Sequence, residues 1–277
     1  MAITAAEVNK LRQMTGSGMM DCKNALVEAE GDIEKAIDIL RKKGQKIAAK
    51  RADRSANEGY VVAKTNADHT YGAVLMLNCE TDFVGKTADF IECGEAIIDY
   101  AIANKVQNLQ QLLDATLASG RTVSEYLTDM TGKTGEKVEL NQFEMMEKAV
   151  VASYNHNGNR LATLVGFSKQ AANLDTAGHE IAMQIAAMNP IGVSEEDVPQ
   201  SVIDREMEIA REQIRNEGKP EDMVDKIAQG KLNKFFKENT LMNQEFIRDS
   251  KKTVAQYVKE IDADLTVEKF YRLQLGE

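Results

Sequence analysis

Residues 78–84 read NCETDFV, and they directly follow an uninterrupted apolar run at residues 73–77. An apolar run of this length, without breaks, is typical of a buried β-strand. A helical pattern begins at about Lys86. The sequence therefore predicts that residues 81–83 lie on a turn between a strand and a helix, at the edge of a sheet.

Two structural roles are open for this turn. Thr81 or Asp82 can cap the following helix, because either side chain can accept hydrogen bonds from its first free N–H groups. Phe83 can act as a hydrophobic staple that packs on the next helical turn.

The composition is that of a soluble globular protein, with 277 residues and 28% charged residues. This length is enough for two or three domains. No apolar run approaches the roughly 20 residues that span a bilayer, and no secretory signal is visible at the N-terminus. Cys22, Cys79 and Cys93 form no Cys-x-x-Cys pair, and a sparse, odd count fits a reducing compartment. We therefore expect a cytoplasmic protein that contacts no membrane.

Charge is unevenly distributed along the chain. Residues 1–54 carry 11 Lys and Arg against 8 Asp and Glu, whereas the whole chain has a net charge of −10. A nucleic-acid-binding body is normally basic, so we expect no nucleic-acid partner for the acidic remainder. The basic cluster at residues 41–54 is either a solvated helix face or a surface for an acidic partner.

The first 54 residues predict a three-helix domain with a basic connector. Residues 4–7, TAAE, form a capping box, and TGSG at residues 15–18 ends the first helix. Gly31 ends the second helix and Asp32 caps the third. Gly44 is expected to close the third helix.

The next segment predicts a β-hairpin and a helix. Residues 60–64 and 71–76 have strand character and flank the turn-forming residues 66–69. A helix is expected from Lys86 to about Ala103. Further helical segments follow before residue 130.

This pattern then repeats about 90 residues later. A strand at residues 145–154 is expected to pair with one at residues 160–167, across a turn at residues 155–159. A helix follows from about Thr176 to Met188. The repeat predicts an α+β core of two similar subdomains with antiparallel sheets.

The resulting domain prediction has three parts. The three-helix domain occupies residues 1–54, and the two core subdomains occupy residues 55–142 and 143–277. Charged, amphipathic helices at about residues 200–239 predict an antiparallel helical hairpin inserted into the second subdomain. A helix at residues 252–261 and a last strand, at about residues 265–275, complete it.

Motifs for enzymes and nucleotide-binding proteins fail on inspection. Gly132-Lys133-Thr134 resembles the end of a phosphate-binding loop, but Leu127 occupies a position that requires glycine. The three histidines lie far apart and lack metal-ligand spacing with the cysteines. We therefore expect no catalytic residues, no metal, no cofactor and no direct nucleotide binding.

Several stretches resemble one protein family. The strongest are LRQMTGSGMMDCKNAL at residues 11–26, GDIEKA at residues 31–36 and NCETDFV at residues 78–84. Weaker support comes from HNGNR at residues 156–160 and HEIAMQIAA at residues 179–187. Together they resemble bacterial elongation factor Ts, the guanine-nucleotide exchange factor of elongation factor Tu, over essentially the whole chain. The resemblance implies a ubiquitin-associated-like N-terminal domain, two similar core subdomains and an inserted helical hairpin.

The resemblance also implies a mechanism and a site. Thr81, Asp82, Phe83 and Val84 match the family's intruding segment, in which Asp82 and Phe83 enter between helices of the GTPase domain of elongation factor Tu. That entry disturbs the Mg²⁺ and phosphate sites, so GDP leaves and GTP can rebind.

Three further residues match partner contacts of the family. Met19 and Met20 match the start of the second helix, which is part of the N-terminal contact, and His156 matches a core histidine that helps to disturb the phosphate loop. The expected partner surface is the GTPase domain and body of elongation factor Tu. A homodimer or a 2:2 complex with the partner is a further expectation.

Two functions therefore compete. The first is nucleotide exchange on a translational GTPase. The second is a structural adaptor that uses the bundle and the helical hairpin for docking, with no effect on nucleotide.

Overall fold

A computed structural model describes residues 3–156 and 158–277 of the chain. Met1 and Ala2, in the predicted first domain, and Asn157, in the predicted turn at residues 155–159, lie outside the described residues. The described part is mixed helix and antiparallel sheet, as predicted. None of its helices is long and apolar enough to cross a membrane.

The chain begins with three helices, α1 (Ala5–Thr15), α2 (Met19–Glu28) and α3 (Ile33–Arg51). Thr4 and Glu7 form the predicted capping box of α1, and the Asp32 side chain accepts the Lys35 N–H at the start of α3. We call residues 4–51 the bundle. A small apolar core joins its helices: Val8, Leu11, Cys22, Ala25, Leu26, Ala29 and Ala36.

The predicted end of α3 at Gly44 is wrong, because the helix continues for seven more residues to Arg51. Gly44 is instead a close crossing point with a later helix, α7 (Val123–Thr134). A Cβ atom on Gly44 would lie 3.1 Å from the Thr128 carbonyl oxygen and 3.5 Å from the Gly132 Cα. The glycine therefore permits close helix packing and does not terminate the helix.

The first half of the core is a three-stranded antiparallel sheet with helices on one face. Its strands, in the order β1-β2-β3, are β1 (Glu58–Thr65), β2 (Tyr71–Cys79) and β3 (Glu139–Glu147). Its other helices are α4 (Asp82–Gly85), α5 (Ala88–Asn104) and α6 (Leu109–Asp114). The β1–β2 hairpin and the long helix α5 confirm the prediction.

The second half is another three-stranded antiparallel sheet, in the order β4-β5-β8. Its elements are β4 (Val150–Asn155), β5 (Leu161–Phe167), α8 (Leu174–Met188), α11 (Val254–Ile261) and β8 (Val267–Gln274). A small two-stranded ribbon, β6 (Glu245–Phe246) and β7 (Asp249–Thr253), precedes α11 and was not predicted.

The predicted strand at residues 145–154 is wrong in its first part. Residues 145–147 end β3 and pair with β2, and only the residues from Val150 pair with β5. The chain crosses from one sheet to the other at Lys148, whose N–H donates to the Thr70 carbonyl. Because residues 147–149 contain no glycine, proline or asparagine that would indicate a turn, the sequence pattern did not show the break, and the expected boundary after residue 142 lies inside β3.

The two sheets pack against each other, which gives four layers: helices, sheet, sheet, helices. In β2, Leu75 faces α5 and Val74 faces the second sheet. In β5, Val165 faces α8 and Leu164 faces the first sheet. Since successive strand residues point to opposite faces, both central strands are buried on both sides.

The inserted hairpin consists of α9 (Gln200–Asn216) and α10 (Glu221–Asn239), close to the predicted limits. The two helices share an apolar seam of Ala210, Ile214, Val224 and Ala228. The chain returns close to where it left, since Gly192 pairs with Thr240 in a β-bridge. The hairpin is thus a protrusion with its own small core.

Candidate functional site

The stretch at residues 78–84 has the position that the sequence predicts, between β2 and the helices that follow. Thr81 is the N-cap of the one-turn helix α4, and its hydroxyl oxygen accepts the Val84 N–H. A second threonine, Thr87, caps α5 in the same way. Thr81 is therefore a cap, but of the separate helix α4, whereas the predicted long helix is α5 and is capped by Thr87. We call residues 81–84 the wedge loop.

Phe83 projects into solvent from the wedge loop. It is 82% exposed, whereas Phe90, seven residues later, is completely buried. The staple interpretation of Phe83 is therefore wrong, because a staple packs against the helix. Val84, next to it, is half-buried and packs on the core of the first half.

Asp82 does not cap the helix. Its carboxylate accepts a hydrogen bond from Lys86 Nζ at 2.6 Å, one helical turn later. This hydrogen bond and the lysine charge hold the pKa of Asp82 below its usual value. Asp82 is therefore an anionic, half-buried group beside the exposed phenyl ring.

The residues before the wedge loop are hydrogen-bonded to distant parts of the chain. The Glu80 carboxylate accepts from the Arg51 guanidinium at 2.6 Å and from the Lys137 N–H at 2.7 Å. The Lys137 N–H and the Arg51 guanidinium lower the pKa of Glu80. Thr81 donates both its N–H and its hydroxyl to the Glu136 carboxylate, at 3.0 and 2.7 Å.

Two further contacts hold the ends of this segment. Burial raises the pKa of the Cys79 thiol to about 12, so it stays protonated and donates to the Thr81 carbonyl. At the other end, a Cβ atom on Gly85 would lie 3.2 Å from the Gly59 carbonyl oxygen. Close packing of Gly85 on β1 therefore limits movement of α4.

The turn between β4 and β5 carries His156, which is exposed. Its Nδ1 lies 2.9 Å from the Tyr154 hydroxyl, and the Tyr154 ring also contacts His179 edge-on. The turn docks on the edge of β1, since Asn155 hydrogen-bonds with both the N–H and the carbonyl of Ala63. The first half of the core thereby holds the turn that carries His156.

This turn lies within electrostatic range of the wedge loop. Arg160, after the turn, forms an ion pair with Glu58. The Glu58 hydrogen bond raises the pKa of Arg160, and the charge of Asp82 adds to this shift. Glu58 pairs with Cys79 across the β1–β2 ladder, so the end of this turn at Arg160 lies beside the strand end that leads into the wedge loop.

Met19 and Met20 form a separate exposed patch on the bundle. They are 54% and 62% exposed at the start of α2. Asp21, the next residue, pairs with Lys43 of α3, and Arg51 of α3 bonds Glu80, the residue before the wedge loop. Lys43 and Arg51 are separated by about 12 Å along the helix, at 1.5 Å per residue.

A cavity of about 390 Å³ lies between the bundle and α7. Charged groups of both signs line it, and several of them pair with each other, as in Arg121–Asp129 and Lys133–Asp89. Burial raises the pKa of Asp129 against the opposing effect of Arg121. Within residues 3–156 and 158–277, no group of three or more His, Cys, Asp or Glu is placed to hold a metal ion.

Comparison with known proteins gives a consistent result. The family model described as Elongation factor TS matches residues 80–277. The chain is 52% identical to elongation factor Ts of Christiangramia forsetii over 274 residues, which cover 99% of each chain. It is 51% identical to that of Flavobacterium psychrophilum, again over 99% of each chain, and 50% identical to that of Amoebophilus asiaticus over the full length of both.

The chain belongs to the elongation factor Ts family. This membership confirms the resemblance found in the sequence and assigns the chain to translation elongation in protein biosynthesis.

Sequence reasoning missed one residue of the candidate site. It selected the wedge loop, Met19, Met20 and His156, but not Glu136, which holds Thr81. Glu136 follows α7 and lies 55 residues from Thr81 in the sequence. No local pattern connects a glutamate after one helix with a loop after a distant strand, so only the structure reveals the contact.

Proposed function

We propose that the chain binds elongation factor Tu in its GDP-bound state and promotes release of GDP, after which GTP rebinds. The observation that carries this proposal is the exposure of Phe83 on a short helix that is fixed at both ends. An exposed aromatic side chain on a fixed element is suited to insertion into a partner, because aromatic residues at interface centres contribute strongly to binding.

In the proposed mechanism, the wedge loop enters between helices of the GTPase domain near the Mg²⁺ site. Phe83 occupies the space between the helices, and the Asp82 carboxylate lies beside it. The Mg²⁺ ion then loses its ordered surroundings and GDP loses its main counter-charge. A phosphate loop holds nucleotide through backbone N–H groups and the bridging cation, so both effects weaken GDP binding.

The thermodynamics require no covalent step. An exchange protein that prefers the nucleotide-free GTPase lowers the affinity of the GTPase for nucleotide. By linkage, nucleotide lowers the affinity of the GTPase for the exchange protein by the same ratio. The chain therefore acts through binding energy alone and is not itself an enzyme. It needs no nucleotide site of its own.

Contacts outside the wedge loop supply the rest of the binding energy. His156, on the turn near Asp82, is proposed to approach the phosphate loop from the second half of the core. Met19 and Met20 are proposed to contact the GTPase domain from the bundle. Burying an apolar side chain contributes about 1.5–3 kcal/mol, so Met19 and Met20 should contribute to the affinity for the partner.

The test is release of labelled GDP from purified elongation factor Tu, with and without the chain. We expect the chain to accelerate release in a concentration-dependent manner that saturates. Binding without acceleration would contradict exchange and support the adaptor function. Isothermal titration of the chain alone with GDP should show no binding.

A second test separates the bundle contact from the wedge loop. The double variant M19Q/M20Q should bind elongation factor Tu about 10-fold more weakly or worse, because two apolar contacts are lost. Met223→Gln is the matched control, since Met223 is 45% exposed but lies on the hairpin. Equal binding by M19Q/M20Q and the wild type would show that this surface of the bundle is not part of the interface.

A further inference from the structure

An exposed phenylalanine on a short loop requires something to hold it in place. The hydrophobic effect favours rotation of the loop until the ring covers nearby apolar surface. Phe83 nevertheless extends into solvent from a helix of only four residues. The direction of the ring must therefore be set by contacts of the backbone next to it.

The strongest such contacts form a reciprocal pair between two loops. The Glu136 carboxylate accepts both the N–H and the hydroxyl hydrogen of Thr81. In the opposite sense, the Glu80 carboxylate accepts the Lys137 N–H. Adjacent residues of one loop, 80 and 81, are thus joined to adjacent residues of the other, 136 and 137, and hydrogen bonds to ionised carboxylates are the stronger kind.

Glu136 is itself held by the end of α7. Gly135 adopts a left-handed conformation with φ +73°, and its N–H donates to the Thr131 carbonyl. The Glu136 N–H then donates to the Thr134 hydroxyl at 3.2 Å, and the Val138 N–H donates to the Thr131 hydroxyl at 3.1 Å. The carboxylate therefore projects from a segment that is fixed on both sides.

The hydroxyl of Thr81 connects Glu136 to the helix that carries Phe83. A threonine hydroxyl has one hydrogen to donate and lone pairs to accept. Because Thr81 donates that hydrogen to Glu136, its lone pairs remain free for the Val84 N–H. Glu136 thus orients the side chain that caps α4.

We propose that Glu136 is a positioning residue for the wedge loop, fixing Thr81 and hence the direction in which Asp82 and Phe83 project toward the GTPase. This inference rests on the proposed function, because it explains how the loop is prepared before the partner binds. The α7–β3 loop, residues 135–138, therefore contributes to the exchange site through its bonds to Thr81.

The first experiment measures the loop without any partner. The chain has no tryptophan but seven tyrosines, so Phe83→Trp introduces a single tryptophan at the tip of the loop, which is excited selectively at the red edge of the absorption band. In the F83W/E136A variant, we expect a larger amplitude of fast local motion in the fluorescence anisotropy decay than in F83W. In F83W/E125A the decay should be unchanged, because Glu125 caps the start of α7 and has no bond to the loop. Identical decays for F83W and F83W/E136A would overturn the proposal.

The second experiment measures stimulated GDP release at a saturating concentration of the chain. Glu136→Ala should lower the maximal rate about 10-fold with little change in melting temperature, and Glu125→Ala should not lower it. Glu136→Gln should recover part of the rate, since its amide oxygen can accept the Thr81 N–H and its NH₂ group can donate to the Thr81 hydroxyl. A wild-type rate for Glu136→Ala would overturn the proposal.

The two experiments fail independently. If the wild-type chain did not accelerate release, the proposed function would be wrong, whereas the anisotropy decay would still test the role of Glu136. If Glu136→Ala lost its folded structure, as judged by circular dichroism, Glu136→Met would replace it in both measurements. Because Glu136→Gln keeps both bonds to Thr81, Glu136→Met, which has a similar length but no oxygen to accept them, supplies the loss-of-contact variant. An unaltered decay and an unaltered maximal rate in Glu136→Met would show a purely structural role and contradict the proposal.

Discussion

Each half of the core connects a central strand to a long helix, but the two connections differ. In the first half, the chain passes from β2 to α5 through the wedge loop, which exposes Phe83. In the second half, residues 168–173 connect β5 to α8 and read SKQAAN, without a large apolar side chain. Ser168 hydrogen-bonds with the backbone of Thr266, and Ala171 packs on the core.

The comparison separates what the fold requires from what the site requires. The second connection shows that a strand and helix of this kind can be joined by residues that bond and pack locally. The first connection places an aromatic side chain in water and uses Glu136, from a distant loop, to hold the segment. The exposure of Phe83 is therefore not a consequence of the architecture.

The largest expected effect concerns the buried phenylalanines beside these connections. Phe90 follows the first connection, and Phe167 directly precedes the second. Phe90 and Phe167 are both completely buried, one in each half. Phe90→Ala and Phe167→Ala should each lower the free energy of unfolding by about 3–5 kcal/mol, because each leaves a cavity in a packed core. Urea denaturation measures this loss. A loss below about 1 kcal/mol for Phe90→Ala would show that the buried Phe90 contributes no more to folding stability than the exposed Phe83 is expected to.

A smaller effect is expected for Gly85→Ala, at the end of α4. The added Cβ atom would meet the backbone of Gly59 at 3.2–3.3 Å. We expect a loss of about 1 kcal/mol or more of folding stability, typical of overpacking, together with slower stimulated GDP release as α4 moves.

Gly230→Ala is the matched control for this substitution. Gly230 lies within α10, where an added Cβ atom meets nothing within 4 Å. Alanine should stabilise this helix by about 0.4–1 kcal/mol and leave exchange unchanged. Equal behaviour of the two variants would show that the Gly85–Gly59 contact does not restrict the wedge loop.

The smallest effect is expected in the second connection. Lys169 pairs with Asp262 at 2.7 Å on the surface. Because exposed ion pairs contribute little to stability, Lys169→Ala should leave both the melting temperature and stimulated GDP release unchanged. Slower release would show that the second connection also contacts the partner, and the comparison would no longer distinguish the two halves.

Much of the fold could be predicted from local signals. Capping threonines, glycine-rich breaks and alternating apolar residues identified the three N-terminal helices, both hairpins and the helical protrusion. These signals act over a few residues, so a single sequence contains them. Thr81 as a cap belongs to this group.

The errors arose where distant parts of the chain decide the outcome. Gly44 has the sequence signal of a helix end, but its role is to permit contact with Gly132 of α7. Residues 145–147 lead to β4 without a turn signal, but they pair with β2 and not with β5. Neither partner is identified by the pattern of the segment itself.

The candidate site shows the same difference between features that local sequence predicts and features that depend on distant contacts. The residues of the wedge loop stand out in the sequence, and their resemblance to the family indicates their role. The exposure of Phe83 and the bonds of Thr81 to Glu136 depend on tertiary structure. The sequence thus identifies the candidate residues, and the structure shows which contacts hold them.

The most direct test of the account is Phe83→Ala, measured for binding to nucleotide-free elongation factor Tu and for thermal unfolding. Loss of a buried interface phenylalanine, worth about 1.5–3 kcal/mol, should weaken binding on the order of 10- to 100-fold, with a matching slowing of GDP release. The melting temperature of the free chain should change little, because the ring is 82% exposed. A large drop in melting temperature together with unchanged binding and release would contradict the account.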